Sequence, residues 1–213
     1  MSFQNPTTRQ KGAALPSIIC AYSGASPVLV TDHPKSPALL AGAIAFNISH
    51  AINNAPPSTS LSLACTKSTN VTMEPLEWGT LDTPFAKANK GSFTRIIAAD
   101  CLWMRSQHEN LVRTMLWFLA DTSTTPEGGN EFGKDTPRVW VVAGFHTGRD
   151  PVARFFDTAS DMGLRTERIY ERDLNSVTED GEEVRREWTP VRAGEGPENR
   201  RRWSVVAVLV RSS

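Results

Sequence analysis

The stretch Arg138-Val-Trp-Val-Val-Ala-Gly144 is the strongest strand pattern in the chain, and a second apolar run, Thr94-Arg-Ile-Ile-Ala-Ala99, precedes it. Continuous apolar runs of this length are typical of strands in a parallel sheet that is covered on both faces. Between them, residues 106–120 form a helical pattern whose apolar positions recur on one face: Leu111, Met115, Phe118 and Leu119. The order predicts a βαβ unit in which 94–99 is a central strand buried on both faces.

The same alternation continues upstream. Residues 27–31 predict a strand, and the Ala- and Leu-rich residues 36–52 predict a helix, with Ser36 and Pro37 at its cap and first turn. A further strand is predicted over 71–76, whereas the apolar run 61–65 fits a strand or an insertion. These units extend the predicted parallel sheet.

Downstream, Asp150-Pro151 is suited to the start of a helix. Residues 165–171 and 203–210 predict two strands that pair as an antiparallel hairpin, with 172–202 as a long solvated loop. The expected architecture is therefore α/β: a Rossmann-like, mostly parallel sheet that ends in an antiparallel hairpin. We expect one domain over 1–213, with 1–11 outside its ordered part.

Composition limits the classes of partner. Among the 213 residues, 23 Lys and Arg balance 23 Asp and Glu, so no overall field favours nucleic acid or an acidic membrane. Arg200-Arg201-Arg202 is basic, but Glu195 and Glu198 lie beside it, which favours a solvated charged surface. No apolar run approaches the roughly 20 residues that span a bilayer, and no leader pattern is present, so we expect a cytoplasmic monomer. The three cysteines have no CxxC spacing, which argues against a zinc site or a disulfide framework.

Parallel sheets bind ligands beyond the carboxyl ends of their strands, and four segments occupy such positions. They are Gly12–Ser17, Asp32, Asp100–Trp103 and His146–Arg149. Small residues at Gly12–Ser17 let backbone approach a ligand, and an acid such as Asp32 can accept hydrogen bonds from ribose hydroxyls. Each has a structural alternative: a plain loop-to-helix junction for the first, and a turn or cap for Asp32.

The other two segments carry different chemistry. A carboxylate at Asp100 beside the aromatic Trp103 can position an amine and favour its positive charge. A helix cap and a core tryptophan are the alternative. His146 can act as a base, or its side chain can bond to its own loop.

In this order, the segments resemble the nicotinamide N-methyltransferase-like branch of the family 16 (lysine) methyltransferases, particularly its fungal members. The matching segments are Gly12-Ala-Ala-Leu-Pro-Ser17, Val30-Thr-Asp-His-Pro34, Trp78-Gly79, Ala99-Asp-Cys-Leu-Trp103 with Gln107-His108, and Ala143-Gly-Phe-His-Thr-Gly-Arg149. The resemblance runs from about Gly12 through the last strand.

The resemblance implies a class I methyltransferase fold that binds S-adenosylmethionine and methylates nitrogen, without a metal. It places Gly12 and Ala99 near the cofactor, Asp32 on its ribose and Trp78 beside its adenine. Asp100 and Trp103 match the motif on the methyl-acceptor side. The implied acceptor is a protein amine, a lysine or an N-terminus, with elongation factor 1-alpha as the fungal example. A small-molecule amine such as nicotinamide and a non-catalytic interaction module are the alternatives.

The sequence departs from the family pattern before Leu15. Thr8 stands where the family has an acid, and Gln10 stands where it has a glycine, which leaves Gly12 alone. Residues 7–11 are too polar for a buried central strand, so the first strand is expected to be missing or degenerate. Two sheet edges would then be open, and we expect weak or absent cofactor binding by this chain.

Overall fold

A computed structural model describes residues 14–23, 25, 27–53, 71–121 and 136–212. The chain divides into two compact units, Met1–Glu77 and Trp78–Ser213, and each is described by itself. The single domain expected over 1–213 stays a prediction. The ordered state of 1–11, the apolar run 61–65 and most of the predicted loop 122–136 lie outside the described residues.

Within the described residues, the first unit contains a parallel pair of strands and three helices. Strands β1 (Val28–Asp32) and β2 (Val71–Pro75) pair from Val28 opposite Val71 to Asp32 opposite Pro75. The helices are α1 (Leu15–Tyr22), α2 (Pro37–Leu40) and α3 (Ala43–Asn53). One apolar cluster joins them: Ile18, Val30, Ile44 and Ile48. Both predicted strands are confirmed to within a residue at each end.

The helix predicted over 36–52 is wrong as one continuous element. Gly42 has φ +68° and ends α2, after which α3 starts in a new direction. Pro37 does occupy the first turn of α2, but the Ser36 side chain makes no bond to the helix amides. Its hydroxyl instead donates to Asp32 Oδ2 at 2.7 Å.

The second unit contains a five-stranded sheet in the order β3-β4-β7-β5-β6. The strands are β3 (Arg95–Ala99), β4 (Arg138–Gly144), β5 (Leu164–Val177), β6 (Glu183–Arg186) and β7 (Trp203–Arg211). Only β3 and β4 are parallel, and the other neighbours are antiparallel. The structure thus confirms a mixed α/β fold with antiparallel C-terminal strands, in which β5 and β7 form the predicted pair.

Four helices and one short turn accompany this sheet in the part of the second unit that the structure describes. They are α4 (Pro84–Ala88), the 3-10 turn Arg105–Gln107, α5 (His108–Phe118), α6 (Arg149–Asp161) and α7 (Pro197–Arg201). The apolar face predicted for 106–120 is confirmed, since Leu111, Met115, Phe118 and Leu119 are all buried. Seven consecutive residues of β7, from Ser204 to Val210, are buried as well, so this strand forms the middle of the core.

Strand β3 lies at an edge of its sheet, so the prediction of a central strand buried on both faces is wrong for the described residues. Ile97 is 36% exposed, and Arg95 is exposed. Within the described part of the chain, β3 pairs only with β4, and β1 pairs only with β2. Within those residues, β3 therefore has one edge without a neighbouring strand, and the β1–β2 pair has two such edges.

The prediction that residues 172–202 form one long solvated loop is wrong in extent. Strand β5 continues to Val177, and β6 and α7 occupy much of the remainder. The charges that suggested solvent instead pair with one another, and Glu171 and Asp173 are buried. Helix α6 also starts one residue before Asp150, because Gly148 precedes its first turn with φ +101°.

Candidate functional site

The carboxyl ends of β3 and β4 lie side by side, because the two strands are parallel and Ala99 is opposite Val142. Two loops leave the sheet at this end, 100–104 after β3 and 145–148 after β4. Both loops carry residues that the sequence singled out as candidates for ligand contact. Neighbouring carboxyl ends of parallel strands are where α/β sheets usually bind ligands.

Asp100 is the first residue after β3, and it adopts the left-handed conformation with φ +53°. This conformation is costly for residues with a side chain, although Asp tolerates it better than most. The Asp100 amide donates to the Val142 carbonyl at 2.7 Å, which fixes the turn against β4. Its side chain is exposed and accepts no hydrogen bond from another described residue. The geometry leaves this carboxylate available to a ligand.

The loop after Asp100 is held from beneath by buried groups. Cys101 and Leu102 are buried, and His108 Nε2 donates to the Leu102 carbonyl at 2.9 Å. The His108 ring packs edge-on against Phe155, with 5.6 Å between ring centroids. Burial lowers the pKa of His108, which favours the neutral ring, and the neutral tautomer that carries its proton on Nε2 can donate this hydrogen bond. Trp103 is half-buried and lies in the same loop as Asp100.

The loop after β4 turns sharply, and the Gly148 amide donates to the Phe145 carbonyl at 3.0 Å. His146 is exposed, and its ring lies so close to Gly144 that a Cβ there would meet Nε2 at 2.6 Å. A side chain at position 144 would therefore require the exposed His146 ring to shift. The sequence proposed His146 as a base or as a loop residue, and the structure places it at the same end of the sheet as Asp100.

Sequence reasoning missed the role of Arg149, which is buried rather than exposed. Its guanidinium donates to both oxygens of Glu171, at 2.7 and 2.8 Å, and to both oxygens of Glu195, at 2.6 and 2.9 Å. Glu171 is fully buried, and Arg186 and Arg192 also contact it. One signal was available, since a cation at the N-terminus of a helix opposes the helix dipole and so suggests an acidic partner.

Arg149 and Arg186 pair with Glu171 and Glu195, and each group in this charge cluster stabilises the ionised form of its partners. Burial opposes the ionised form of Glu171, but hydrogen bonds from Arg149 and Arg186 outweigh it, so the pKa of Glu171 lies below its ordinary value. The hydrogen bond from Arg149 is the main cause of the lowered pKa of Glu195. Both carboxylates are therefore charged at neutral pH, and with Arg149 they form a buried network.

The predicted ribose contact, Asp32, ends β1 in the first unit and is only 3% exposed. Its Oδ1 accepts from the His33 amide at 2.8 Å, and its Oδ2 accepts from the Ser36 hydroxyl at 2.7 Å. The carboxylate thus closes its own turn, which is the alternative role that the sequence left open. Each oxygen keeps a second lone pair, so these bonds alone do not prevent further hydrogen bonds.

Trp78 is the first residue of the second unit, and it is 3% exposed. Gly79 follows with φ +84°, and its amide donates to Thr114 Oγ1 at 2.9 Å. Of the predicted site residues, Ala99, Asp100 and Trp103 lie in one segment, at the end of β3 and in the loop that follows it. Gly12 lies outside the described residues.

No helix in the described ranges is long and apolar enough to cross a membrane. No protein-family model matches the chain. Three curated fungal relatives, each described as protein N-terminal and lysine N-methyltransferase EFM7, do match it. The Eremothecium gossypii protein is 27% identical over 159 residues, which cover 73% of this chain and 52% of that protein.

The other two comparisons agree. The Yarrowia lipolytica protein is 25% identical over 183 residues, covering 82% of this chain and 60% of the relative. The Aspergillus fumigatus protein is 28% identical over 166 residues, covering 78% of this chain and 56% of the relative. The chain thus spans between half and three fifths of the length of these relatives. Over that region it is a distant homologue of fungal protein N-terminal and lysine N-methyltransferases.

Proposed function

We propose that this chain forms the acceptor-binding part of an S-adenosylmethionine-dependent N-methyltransferase that acts on a protein amine. The observation that carries the proposal is Asp100, an exposed carboxylate held with φ +53° at the carboxyl end of β3, with Trp103 in the same loop. The names of the distant homologues support the reaction and the protein substrate. They also support a class I methyltransferase fold.

We further propose that the first strand of this fold is missing or degenerate in the chain. In support, the described parallel strands form two sheets, and β1 and β3 each lack a second neighbour within those residues. An edge of this kind has amides and carbonyls that a further strand would satisfy. The polar residues 7–11 are poor candidates for that place.

The residues present fit S-adenosylmethionine in part. The small side chain of Ala99 at the end of β3 allows a ligand to approach the backbone. The Asp100 carboxylate beyond it is exposed and can accept hydrogen bonds from a ligand. Asp32 would hold the ribose and Trp78 would lie beside the adenine, but both side chains are buried as they stand. Gly12 would supply the close approach of a loop to the cofactor. We therefore propose weak cofactor binding by this chain.

S-adenosylmethionine, when bound, supplies a methyl group on a positively charged sulfur. The chain itself has to align a neutral amine for in-line attack and keep water away. Asp100 would accept a hydrogen bond from the amine and favour the positive charge that grows on nitrogen as the new bond forms. Trp103 would form one wall of the acceptor site and stabilise the same charge through its ring.

The acceptor that we propose is elongation factor 1-alpha, methylated at its N-terminus or at a nearby lysine. We propose that the enzyme is cytoplasmic and monomeric. The buried state of Asp32 favours one alternative, a non-catalytic interaction module that keeps the Asp100 surface and has lost the cofactor. A nicotinamide-like small-molecule acceptor is the other alternative, and it would require a closed aromatic box around the amine.

A thermal-shift measurement with S-adenosylhomocysteine tests the proposal, because a ligand that binds only the folded state raises its melting temperature. Two proteins would be compared: this chain, and a form extended upstream by the Gly-containing strand of a fungal relative. We expect stabilisation of the extended form and little effect on the chain alone. Stabilisation of both would refute the proposed defect, and stabilisation of neither would favour the non-catalytic module.

A further inference from the structure

One face of the five-stranded sheet carries a row of arginines and aromatic rings. Trp140 of β4 and Arg168 of β5 lie opposite the same residue of β7. Tyr170 follows two residues after Arg168, and Arg172, two residues further on, pairs with Arg185 of β6. Directly opposed residues, and alternate residues along a strand, point to the same face of a sheet. These five residues therefore share one face, which we call the arginine face.

The side chains of the arginine face contact one another from β4 to β6. Arg168 Cζ lies 5.5 Å from the centroid of the Trp140 ring and 5.9 Å from that of the Tyr170 ring. Arg185 Cζ lies 4.6 Å from the Tyr170 ring. Because β7 lies between β4 and β5, the contact of Arg168 with Trp140 passes above it, and Val208 beneath is 2% exposed. Stacking on a ring fixes the plane of a guanidinium and leaves N–H groups at its edge for a further partner.

The arginines of this face are only partly neutralised. Glu183 pairs with Arg172 at 3.1 Å and with Arg185 at 2.9 Å, so one carboxylate serves two guanidiniums. Arg168 is exposed, and it forms no salt bridge with another described residue. The arginine face thus carries free positive charge, although the chain as a whole has equal numbers of basic and acidic residues.

The neighbouring residues extend this charge and set its limits. Arg165, three residues before Arg168, is exposed and forms no salt bridge within the described part of the chain. Glu167 between them pairs with Arg138 of β4, which compensates its charge. Beyond the far end of β5, the turn 178–182 contains three acidic residues that would repel an anion. The free positive charge is therefore centred on Arg168.

We infer that the arginine face binds an acidic segment of a partner protein, whose carboxylates contact Arg168 and its neighbours. Charge complementarity carries this inference, since a guanidinium binds a carboxylate through two parallel N–H···O bonds. The inference goes beyond the proposed methyl transfer and does not depend on it.

Nucleic acid fits the arginine face less well. The Trp140 and Tyr170 rings are half-buried, and each already contacts a guanidinium, so a stacking base would have to displace that contact. A backbone with a phosphate at every nucleotide would also meet the carboxylates of Glu167 and Glu183. An acidic protein segment can place its carboxylates where the guanidiniums are free.

The test is the affinity of the 213-residue chain for a fluorescein-labelled glutamate peptide, measured by fluorescence anisotropy. A peptide of about eight residues spans at most about 28 Å when extended. Arg168→Glu should weaken binding about tenfold, because it replaces an attraction by a repulsion of similar size. Arg168→Gln removes only the attraction and should weaken binding about threefold, and Arg168→Lys keeps the charge and should bind within about twofold of the unchanged chain. Binding should also weaken as salt is added.

Arg154→Glu is the matched control. Arg154 is exposed on α6, and Arg149 of the same helix pairs with Glu171. Glu171 directly follows Tyr170 in β5, so its side chain points to the opposite face of the sheet, and α6 lies on that side. The same charge reversal at Arg154 should therefore leave the affinity for the peptide unchanged.

Failure of the unchanged chain to bind the peptide would overturn the inference, and so would equal binding by Arg168→Gln. Equal losses in Arg154→Glu and Arg168→Glu would contradict it as well, since net charge and not the arginine face would then attract the peptide. Tighter binding of a labelled uridine oligonucleotide of the same length would make nucleic acid the partner. The effect of S-adenosylhomocysteine is measured without the peptide, so the enzyme proposal and this inference can each fail while the other stands.

Discussion

Two segments flank the carboxyl end of β4, the loop 100–108 and the segment 187–196 between β6 and α7, and different forces hold them. The first is fixed by single neutral hydrogen bonds, from the Asp100 amide to Val142 and from His108 to Leu102, with a left-handed residue at its start. The second is fixed by a buried network of ionised groups around Arg149 and Glu171. The difference separates a loop whose carboxylate is exposed from a segment that is anchored through buried ion pairs.

The largest expected effect is in the charged network. Glu171→Gln removes the carboxylate charge that Arg149, Arg186 and Arg192 contact and leaves the buried Arg149 with Glu195 as its remaining ionised partner, so it should lower the free energy of unfolding by about 3–5 kcal/mol. Urea denaturation would measure the loss. Glu167→Gln is the matched control, because Glu167 pairs with Arg138 in a more exposed position and should cost at most about 1 kcal/mol. Equal losses in the two variants would contradict the comparison.

An intermediate effect is expected at His108, and it depends on pH. The pKa of His108 is lowered by burial, so the unfolded chain takes up a proton more readily than the folded chain. The contribution of His108 to the free energy of unfolding is therefore fully present at a pH above about 6.5, the ordinary pKa of histidine in the unfolded chain. It is lost as the pH falls below that value. Thermal unfolding between pH 8 and pH 5 would show this fall.

His108→Gln should remove most of that pH dependence, because an amide cannot take up the proton. His108→Phe also deletes the bond to Leu102, and leaving this buried carbonyl unpaired should cost about 1–3 kcal/mol. A pH profile that is the same in the original chain and in His108→Gln would show that another group causes the dependence.

The smallest expected effect on stability is at Asp100. Asp100→Gly relieves the left-handed backbone and should raise the free energy of unfolding by up to about 1 kcal/mol. The same change should abolish methyl transfer in the extended form, since the carboxylate that positions the amine is gone. Asp100→Asn, which tolerates the same backbone conformation, should leave stability unchanged and still lose transfer. Full transfer by Asp100→Asn would exclude the proposed role.

The periodicity of the sequence was enough to predict β1, β2, β3, β4 and β7 and the buried face of α5, but it missed β6 and the second half of β5. Apolar runs such as 138–144 and 203–210 are decided by local pattern, and the structure places them as expected. The edge position of β3 could not be predicted from its own residues, because a run as apolar as Ile96 to Ala99 is typical of a central strand. What decides its place is the neighbour with which it pairs, and that is a nonlocal property.

The residues of the candidate site also divide into those whose position follows from local sequence order and those whose role depends on a distant partner. Asp100 and Trp103 follow a strand directly, so their place at the carboxyl end of β3 follows from sequence order. The role of Glu171 does not, because a charge inside a strand pattern predicts exposure unless its partner is known. That partner, Arg149, lies 22 residues earlier, and no local spacing rule relates the two. The turn role of Asp32 was foreseen as an alternative because Ser36 and His33 are close in sequence.

Strand β7 lies between β4 and β5, which do not pair with each other, although it follows both in sequence. On the ribosome, β4 and β5 must therefore wait, each with an open edge, until residues 203–211 have emerged. Nascent chains would spend that interval exposed to chaperones and to strands of other molecules. Completion of the second unit is thus a late event in synthesis, and stalling the ribosome before Trp203 would yield a protease-sensitive intermediate.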